Sequence, residues 1–484
     1  MGVFVPCQRA PVAGAGADGR PTLVVLPFQD IGEPDDEFFA DGISEEITSR
    51  LSRIQGMRVI ARNSALRFDP SATSAQDFGR RLGADYVLDG TVRWVRGAAG
   101  VRVRVTPALV DVRDAQQVWG EGYDAVVEDV LGIQSDISGK VVDALRVELG
   151  GDERQRLADA GTSDPEAQSE YLIGRFQWRK RTTDGLLQAV EHFQRAVDLD
   201  PNYARGWAGV ADAVGLLPYF GIRHIPKAAA YDRAEQAARR ALELDSTLAE
   251  GWASLCQVLQ NGRWDWENAE RACRRAVALD PDYATAHQWL GEVLLATGRL
   301  DEAVTAVARG AELDPFSPII QNQLGFFLTG VGRMAEAERV LRRAAELEPE
   351  LAAVWGNLMD LHALEGRADE AVAEAHKWGT LLGLTPGQTQ FIAVLYRGIA
   401  DPAARTAAIA AIDRAGAGYD SVPLNDRAKQ LAMLGLLDRA FAVVDTMLAI
   451  RDEGLIFAHG RLAYRPLRGD PRWERVSRQM GVKR

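Results

Sequence analysis

An acidic residue followed by a helix-breaking or turn residue recurs along the second half of the chain: Asp200-Pro201, Asp245-Ser246, Asp280-Pro281, Asp314-Pro315 and Glu348-Pro349. The last four pairs lie 35, 34 and 34 residues apart. Proline has no N–H to give to a helix and its ring clashes with the preceding turn, so such pairs end a helix at a fixed interval. A period near 34 residues is that of helix-turn-helix units that stack side by side, because one hairpin alone cannot bury its apolar face. Most of the chain is thereby constrained to an all-α array, a binding scaffold rather than a reaction vessel.

The chain has 484 residues, more than one ordinary core, and predicts two or more folded units. A hydrophobic content of 47% weighs against disorder. The net charge of −12 weighs against nucleic acid as a ligand, since phosphate neutralisation needs a positive face. The three cysteines, Cys7, Cys256 and Cys273, are too few for a disulfide framework and show no metal-binding spacing. Cys256 and Cys273 fall at small-residue packing positions on neighbouring helices and read as two buried thiols. No apolar run approaches the ~18 residues that would span a bilayer. Residues 1–20 carry no clear export signal, so a cytoplasmic protein is expected. The Ala/Gly/Pro-rich composition of residues 8–20 reads as a flexible linker. A linker at the start of a chain suggests that something once preceded it, or that the start is misassigned.

Residues 21–150 read as a mixed α/β domain in the order β-α-β-α-β-β-β-α. Leu23 to Leu26 is a buried strand ended by Pro27. Ile43, Ile47, Leu51 and Ile54 recur at helical spacing, with Ser44 as N-cap and Glu45 and Glu46 in the first turn. Val59-Ile60 is a second strand, and a helix through Phe78 and Leu82 closes at Gly83. Val101, Val103 and Val105 then alternate with Arg102, Arg104 and Thr106, the pattern of a strand with one wet face, paired across Gly97 and Gly100 with a strand through Leu88, Val92 and Trp94. One more strand is expected near Val118 to Tyr123, and a long helix from Glu128 to Leu149.

Three stretches of this region, Val25-Leu26-Pro27-Phe28, Phe39-Ala40-Asp41-Gly42-Ile43-Ser44-Glu45-Glu46-Ile47 and Leu82-Gly83-Ala84-Asp85-Tyr86-Val87-Leu88-Asp89-Gly90, resemble the TolB amino-terminal-like (FlgO-like) domain. That resemblance implies a bacterial signalling protein in which such a domain precedes tetratricopeptide repeats. It also implies relatives that carry an adenylate cyclase, a kinase or a winged-helix DNA-binding module further upstream.

Residues 165–484 resemble the tetratricopeptide (TPR) pattern, with large residues early in helix A and small ones where helix B crosses it. Repeat three offers Trp252, Leu255, Cys256 and Leu259, then Ala269, Cys273, Ala276 and Pro281; repeats four and five follow in register with Leu290, Gly291 and Ala303, and with Leu324, Gly325 and Ala337. Repeat two holds an insertion near Pro218-Tyr219-Phe220-Gly221. The pattern fades after Ala371, as terminal repeats do. The expected fold class is therefore α+β multidomain: the α/β domain followed by an all-α superhelical solenoid.

In this register the A helices line a concave wall carrying Asp212, Gln257, Gln260, Gln288, Glu292, Asn322, Phe326, Thr329 and Asp360. Such a wall is polar and slightly acidic, and suits a protein or peptide partner held by side-chain hydrogen bonds, with Phe326 as an apolar anchor. The family's carboxylate clamp is not implied, because Tyr171, Ala208, Ala253 and Gln288 stand at the clamp's lysine position. Repeat one adds a basic and aromatic cluster, Arg175, Trp178, Arg179, Lys180 and Arg181. It reads either as a solvated helix end facing the first domain or as a contact for an acidic partner.

Catalytic residues are not found. The six histidines show no metal-site spacing, and no P-loop, nucleophile elbow or kinase signature occurs. Gly14, Gly16 and Gly19 spell a dinucleotide motif but precede the first strand instead of following it. Asp35, Asp36 and Glu37 read as an approach to a helix, and Asp41 and Glu45 as carboxylates without a cleft. The expectation is a non-enzymatic interaction module with no metal and no cofactor, compatible with a homo-oligomer. The alternative is the regulatory portion of a cyclase, kinase or transcription regulator.

Overall fold

The computed structural model describes residues 19–31, 37–52, 54, 56–60, 74–97, 100–126, 130–151, 154, 157, 161–218, 220 and 225–482. Cys7, Gly14, Gly16, Asp35, Asp36, Tyr219 and Gly221 lie outside these residues. The chain divides into two compact units, residues 1–165 and 166–484.

The first unit is built on one mixed sheet. β1 (Thr22–Val25) lies between β3 (Arg58–Val59) and β4 (Tyr86–Gly97), parallel to both. The short β2 (Gln29–Asp30) also runs parallel to β4. β4 turns back as β5 (Gly100–Asp111), antiparallel from Tyr86 opposite Asp111 to Gly97 opposite Gly100. The alternation read from the sequence holds: Val103 and Val105 are buried while Arg102, Arg104 and Thr106 are exposed. The single strand expected near Val118 to Tyr123 is instead two, β6 (Gln117–Gly120) and β7 (Tyr123–Val126), because Glu121-Gly122 interrupts it; both pair with β5.

α1 (Glu37–Ser52) packs Ile43, Ile47 and Leu51 into the core of the unit. It starts seven residues before Ser44, so Ser44 is not its N-cap. The buried Ser44 hydroxyl donates to the Ala40 carbonyl one turn back, and its oxygen accepts from the Phe28 N–H at 2.8 Å, tying the helix to the end of β1. Glu46 is likewise not a first-turn acid. It pairs with Arg50 at 2.9 Å in the interior, and Arg50 also donates to the Leu157 carbonyl. A buried ion pair repays its desolvation only when its remaining groups are also satisfied in this way. α2 (Ala75–Leu82) is capped by Ser74 and closed by Gly83 at φ 68°, and α3 (Val130–Ala144) is shorter than its sequence pattern suggests.

The second unit is a run of antiparallel helix pairs: α4 (Pro165–Arg179) with α5 (Thr183–Leu199), α6 (Ala204–Leu216) with α7 (Lys227–Leu244), α8 (Ala249–Val258) with α9 (Trp266–Leu279), and α10 (Ala284–Ala296) with α11 (Leu300–Leu313). They continue with α12 (Pro318–Gly330) and α13 (Met334–Leu347), α14 (Ala352–Leu364) and α15 (Ala368–Leu381), α16 (Pro386–Ala400) and α17 (Arg405–Ala415), and α18 (Leu424–Met433) and α19 (Leu437–Ala449). The short α20 (Arg465–Arg468) and α21 (Trp473–Gln479) end the chain. Within a pair the helices meet at small residues. A Cβ at Gly174 would lie 2.7 Å from the Phe193 ring, and one at Gly325 would lie 2.5 Å from Leu341, so these crossings require glycine.

The acidic-Pro beat has a chemical counterpart at the five turns that carry it. The residue six positions after the turn residue bonds back to its carbonyl: Trp207 to Pro201, Trp252 to Ser246, His287 to Pro281, Gln321 to Pro315 and Trp355 to Pro349, all between 2.9 and 3.1 Å. Asp200, Asp245 and Asp280 also accept from the N–H two residues on. The turns that follow Asp200, Asp245 and Asp280 are thus pinned from both sides, which fixes the angle at which the next pair leaves.

Cys256 and Cys273 are not free thiols. They form a disulfide between α8 and α9, because the close crossing of this pair brings their Cα atoms to 5.3 Å.

His362 is fully buried between Glu374, 2.6 Å from Nδ1, and Glu338, 3.2 Å from Nε2. Burial lowers its pKa, but the two carboxylates outweigh burial and hold it above 6.5. We predict that the stability His362 contributes is fully present below pH 6.5 and is lost as pH rises through the raised value. Urea titrations across this range should show the loss in the native chain and its absence in His362→Gln; equal slopes in both would refute it. Replacing Trp252 by Phe should remove one turn hydrogen bond and lower unfolding free energy by roughly 1 kcal/mol, and an unchanged urea midpoint would show that the bond contributes nothing.

Candidate functional site

The A helices α6, α8, α10, α12 and α14 carry the wall residues read from the sequence, except that Gln260 sits in the π-helical turn Leu259–Arg263 continuing α8, and the structure finds most of them already engaged. Asp212 on α6 is 2% exposed, accepts from the Ser254 hydroxyl and lies 3.5 Å from Arg175. Burial pushes its carboxyl up to about 6, against the pull of Arg175 and Ser254. Gln257 donates to the Gly215 carbonyl. Glu292 accepts from the amides of Gln260 at 2.8 Å and Gln323 at 2.6 Å, with Gln288 a third donor. Burial still raises its pKa. Thr329 bonds back to the Gly325 carbonyl within its own helix. Asp360 accepts from the Tyr396 hydroxyl and from Lys429 at 3.0 Å, with Arg461 at 3.7 Å.

The last residues of the chain fold back across this wall. Lys227 on α7 pairs with Glu453 at 2.7 Å and donates to the Arg451 carbonyl, and the Tyr231 hydroxyl reaches Glu453 at 3.1 Å. The Phe457 ring stands edge-on to Phe326, and the Arg461 guanidinium lies 4.9 Å over that same ring. Gly460 passes so close to α12 that a Cβ on Gly330 would sit 2.2 Å from its carbonyl oxygen. Further on, the Trp266 indole donates to the Met480 carbonyl at 2.6 Å. Trp264, Trp266 and Ala296 of the repeats share one apolar cluster with Ile456, Tyr464, Trp473 and Met480. Phe326 is therefore covered by the chain itself. The wall faces a segment of its own sequence, an arrangement that the terminal loss of the repeat pattern does not disclose.

Between wall and segment a cavity of about 360 Å³ remains. Gln257, Gln288, Glu292, Asn322 and Phe326 line it, as expected for the inner wall, and so do Lys429, Arg461 and Asp426 from the C-terminal part. Arg181 lines it as well. The lining holds three cations and two carboxylates, so it is not the acidic surface read from the A helices alone.

The basic cluster of repeat one is divided between the interior and the surface. Trp178 is buried, with Arg175 at 4.7 Å and Arg181 at 3.6 Å from its ring centre. Arg175 turns to Asp212, Lys180 lies exposed over Phe176, and Arg179 is half-buried. The helix end is thus not simply solvated. Sequence reasoning missed Arg181, Lys429 and Arg461 as cavity residues. Only the first carried a signal, since it stands where repeats four, five and six have glycine.

Residues 259–323 match the family model described as the tetratricopeptide repeat. The C-terminal region carries tetratricopeptide repeats. A putative adenylate cyclase 3 from Rhizobium meliloti is 33% identical over 193 residues, 40% of this chain and 32% of that protein. The chain thus spans about a third of that relative. Among solved structures, a thermophilic TPR protein of Thermus thermophilus matches 39% of this chain and 94% of its own, at 18% identity and a TM-score of 0.33. PilF of Pseudomonas aeruginosa matches 47% and 96%, at 17% identity and a TM-score of 0.35.

Lys429 is 4% exposed, and burial lowers its pKa, but Asp360 and Asp426 together raise it above the ordinary value. Replacing Asp360 by Ala should leave this ammonium buried beside Asp426 alone and cost about 3–5 kcal/mol of unfolding free energy. A loss under about 1 kcal/mol in urea denaturation, the size of an exposed pair, would contradict that role.

Proposed function

We propose that this chain is a non-enzymatic protein-interaction module of a bacterial signalling or regulatory system. The observation that carries the reading is the array of pinned tetratricopeptide pairs. Their repeated geometry supplies a long curved surface suited to holding a protein or peptide. The first unit, with its likeness to the TolB amino-terminal-like domain, would dock or sense, and the cytoplasm would be its compartment. The partner surface proposed is the rim of the inner wall at the half-buried Asn322 and Asn357, together with the C-terminal segment that lies against it.

A second reading is favoured by the match to a putative adenylate cyclase: the chain would be the regulatory portion of an enzyme whose catalytic part lies upstream or on another chain. The match to that relative supports shared architecture and leaves open where the cyclase activity resides. The chain's own residues carry no nucleotide-binding motif in a fitting context.

The full-length chain, immobilised and exposed to extract of its host, should retain a discrete protein partner. The substitutions Asn322→Asp and Asn357→Asp place charge on the inner wall, where Asn357 donates to Asn322 at 2.9 Å. They should weaken that partner about tenfold or more while leaving circular dichroism unchanged, the loss expected when uncompensated charge enters a contact. Equal retention by the variant would move the contact off the wall. Turnover of ATP to cyclic AMP by the purified chain would overturn the non-enzymatic reading itself.

A further inference from the structure

In six of the eight pairs the turn holds one residue at positive φ immediately before the N-cap of helix B, and in repeat three that residue is Trp264, at φ 55°. Glycine fills it at Gly298, Gly332, Gly366 and Gly435, with φ between 77° and 81°. Repeat one places Arg181 there, at φ 50°, just before the Thr182 N-cap. A long side chain gains nothing from the left-handed region that glycine enters freely. Residues held in such conformations tend to persist where a ligand site needs them.

The side chain that this turn delivers enters the cavity. Its guanidinium stacks on Trp178, 3.6 Å from the ring centre, and makes neither a side-chain hydrogen bond nor an ion pair among the described residues. Burial lowers its pKa to about 10, with Asp212 and Glu292 the nearby acids that oppose the shift. Both acids are already engaged: Asp212 by Ser254 and Arg175, Glu292 by its ring of glutamine amides. The other cations of the lining are paired, Lys429 with Asp360 and Asp426, and Arg461 with Asp360. Arg181 is therefore the one lining cation, among the described residues, whose planar donors are unspent. A half-buried guanidinium of this kind is suited to a bidentate bond with a carboxylate or phosphate. The remaining lining includes Trp289, Phe326 and Phe457, and the cavity volume lies in the range of small-molecule sites.

We propose that the cavity binds a small organic anion, its carboxylate or phosphate held by Arg181 and its apolar body lying against Trp289, Phe326 and Phe457. Glu292 disfavours a second anionic group on the occupant. The site goes beyond the protein-interaction reading and does not depend on it, since it is tested on the isolated chain without any partner.

The test uses the purified full-length chain with indole-3-acetate, hexanoate, phenyl phosphate and inorganic phosphate, each organic acid beside its uncharged amide. Calorimetric titration and the shift in Tm report binding. At least one organic anion should bind and raise Tm where its amide does not. Binding by a carboxylate and binding by phenyl phosphate both support the site and distinguish the head group; binding by inorganic phosphate alone refutes the apolar half of it. Arg181→Gly and Arg181→Asn suit the backbone conformation, so each should fold with an unchanged or higher Tm and bind the anion about tenfold more weakly or worse, the equivalent of one charge-assisted pair. The proposal fails if no organic anion binds better than its amide, if binding survives both substitutions, or if both variants melt well below the parent, which would make Arg181 a structural residue.

Discussion

The helical unit depends on one hydrogen bond repeated at its first five turns between pairs, from the side chain six positions past the turn residue to that residue's own carbonyl. Indole, imidazole and carboxamide all serve, because each places an N–H at the same reach from the first turn of the next helix. The bond does little for total stability, since a net protein hydrogen bond contributes only about 1 kcal/mol. Its effect is angular. With the aspartate at the preceding position, as at Asp200, Asp245 and Asp280, it leaves the turn a single conformation, and an unvarying turn converts a string of hairpins into a regular curve. The small residues at helix crossings then fix the spacing within each pair, as at Gly325 and Leu341.

Much of this was legible in the sequence because it is periodic. The acidic-Pro beat, the Gly and Ala positions and the valine alternation of β5 are all local patterns, and local patterns survive reading one residue at a time. What escaped was aperiodic. Ser44 has the right chemistry for a helix start, but the hydroxyl is used to receive the Phe28 N–H from the link between β1 and β2, sixteen residues back. Cys256 and Cys273 sit at positions where small apolar residues suffice, and only the closeness of the helix crossing makes them partners. The inner wall was placed on the right helices, yet its occupancy could not be read. The residues that cover it, from Glu453 to Met480, follow no repeat register and are assigned to the wall only by three-dimensional closure.

That closure changes what the inner wall presents. Five of the residues read from the A helices do face a cavity, but the cavity's cations come from outside the A-helix register. Arg181 arrives from a strained turn, and Lys429 and Arg461 from the region where the repeat pattern is lost. The electrostatic character of the site is thus set by the departures from the repeat, while its shape is set by the repeat.

The contact between Lys227 and the Arg451 carbonyl joins residues 224 apart in sequence. An open array of repeats has only neighbour-to-neighbour terms, so its stability is nearly a sum and its ends fray independently. Once the last residues are bonded to the second pair, fraying at the carboxyl end also strips the middle of the array. The unit then gains the all-or-none character of a globular domain, together with the slower search that distant contacts impose on folding.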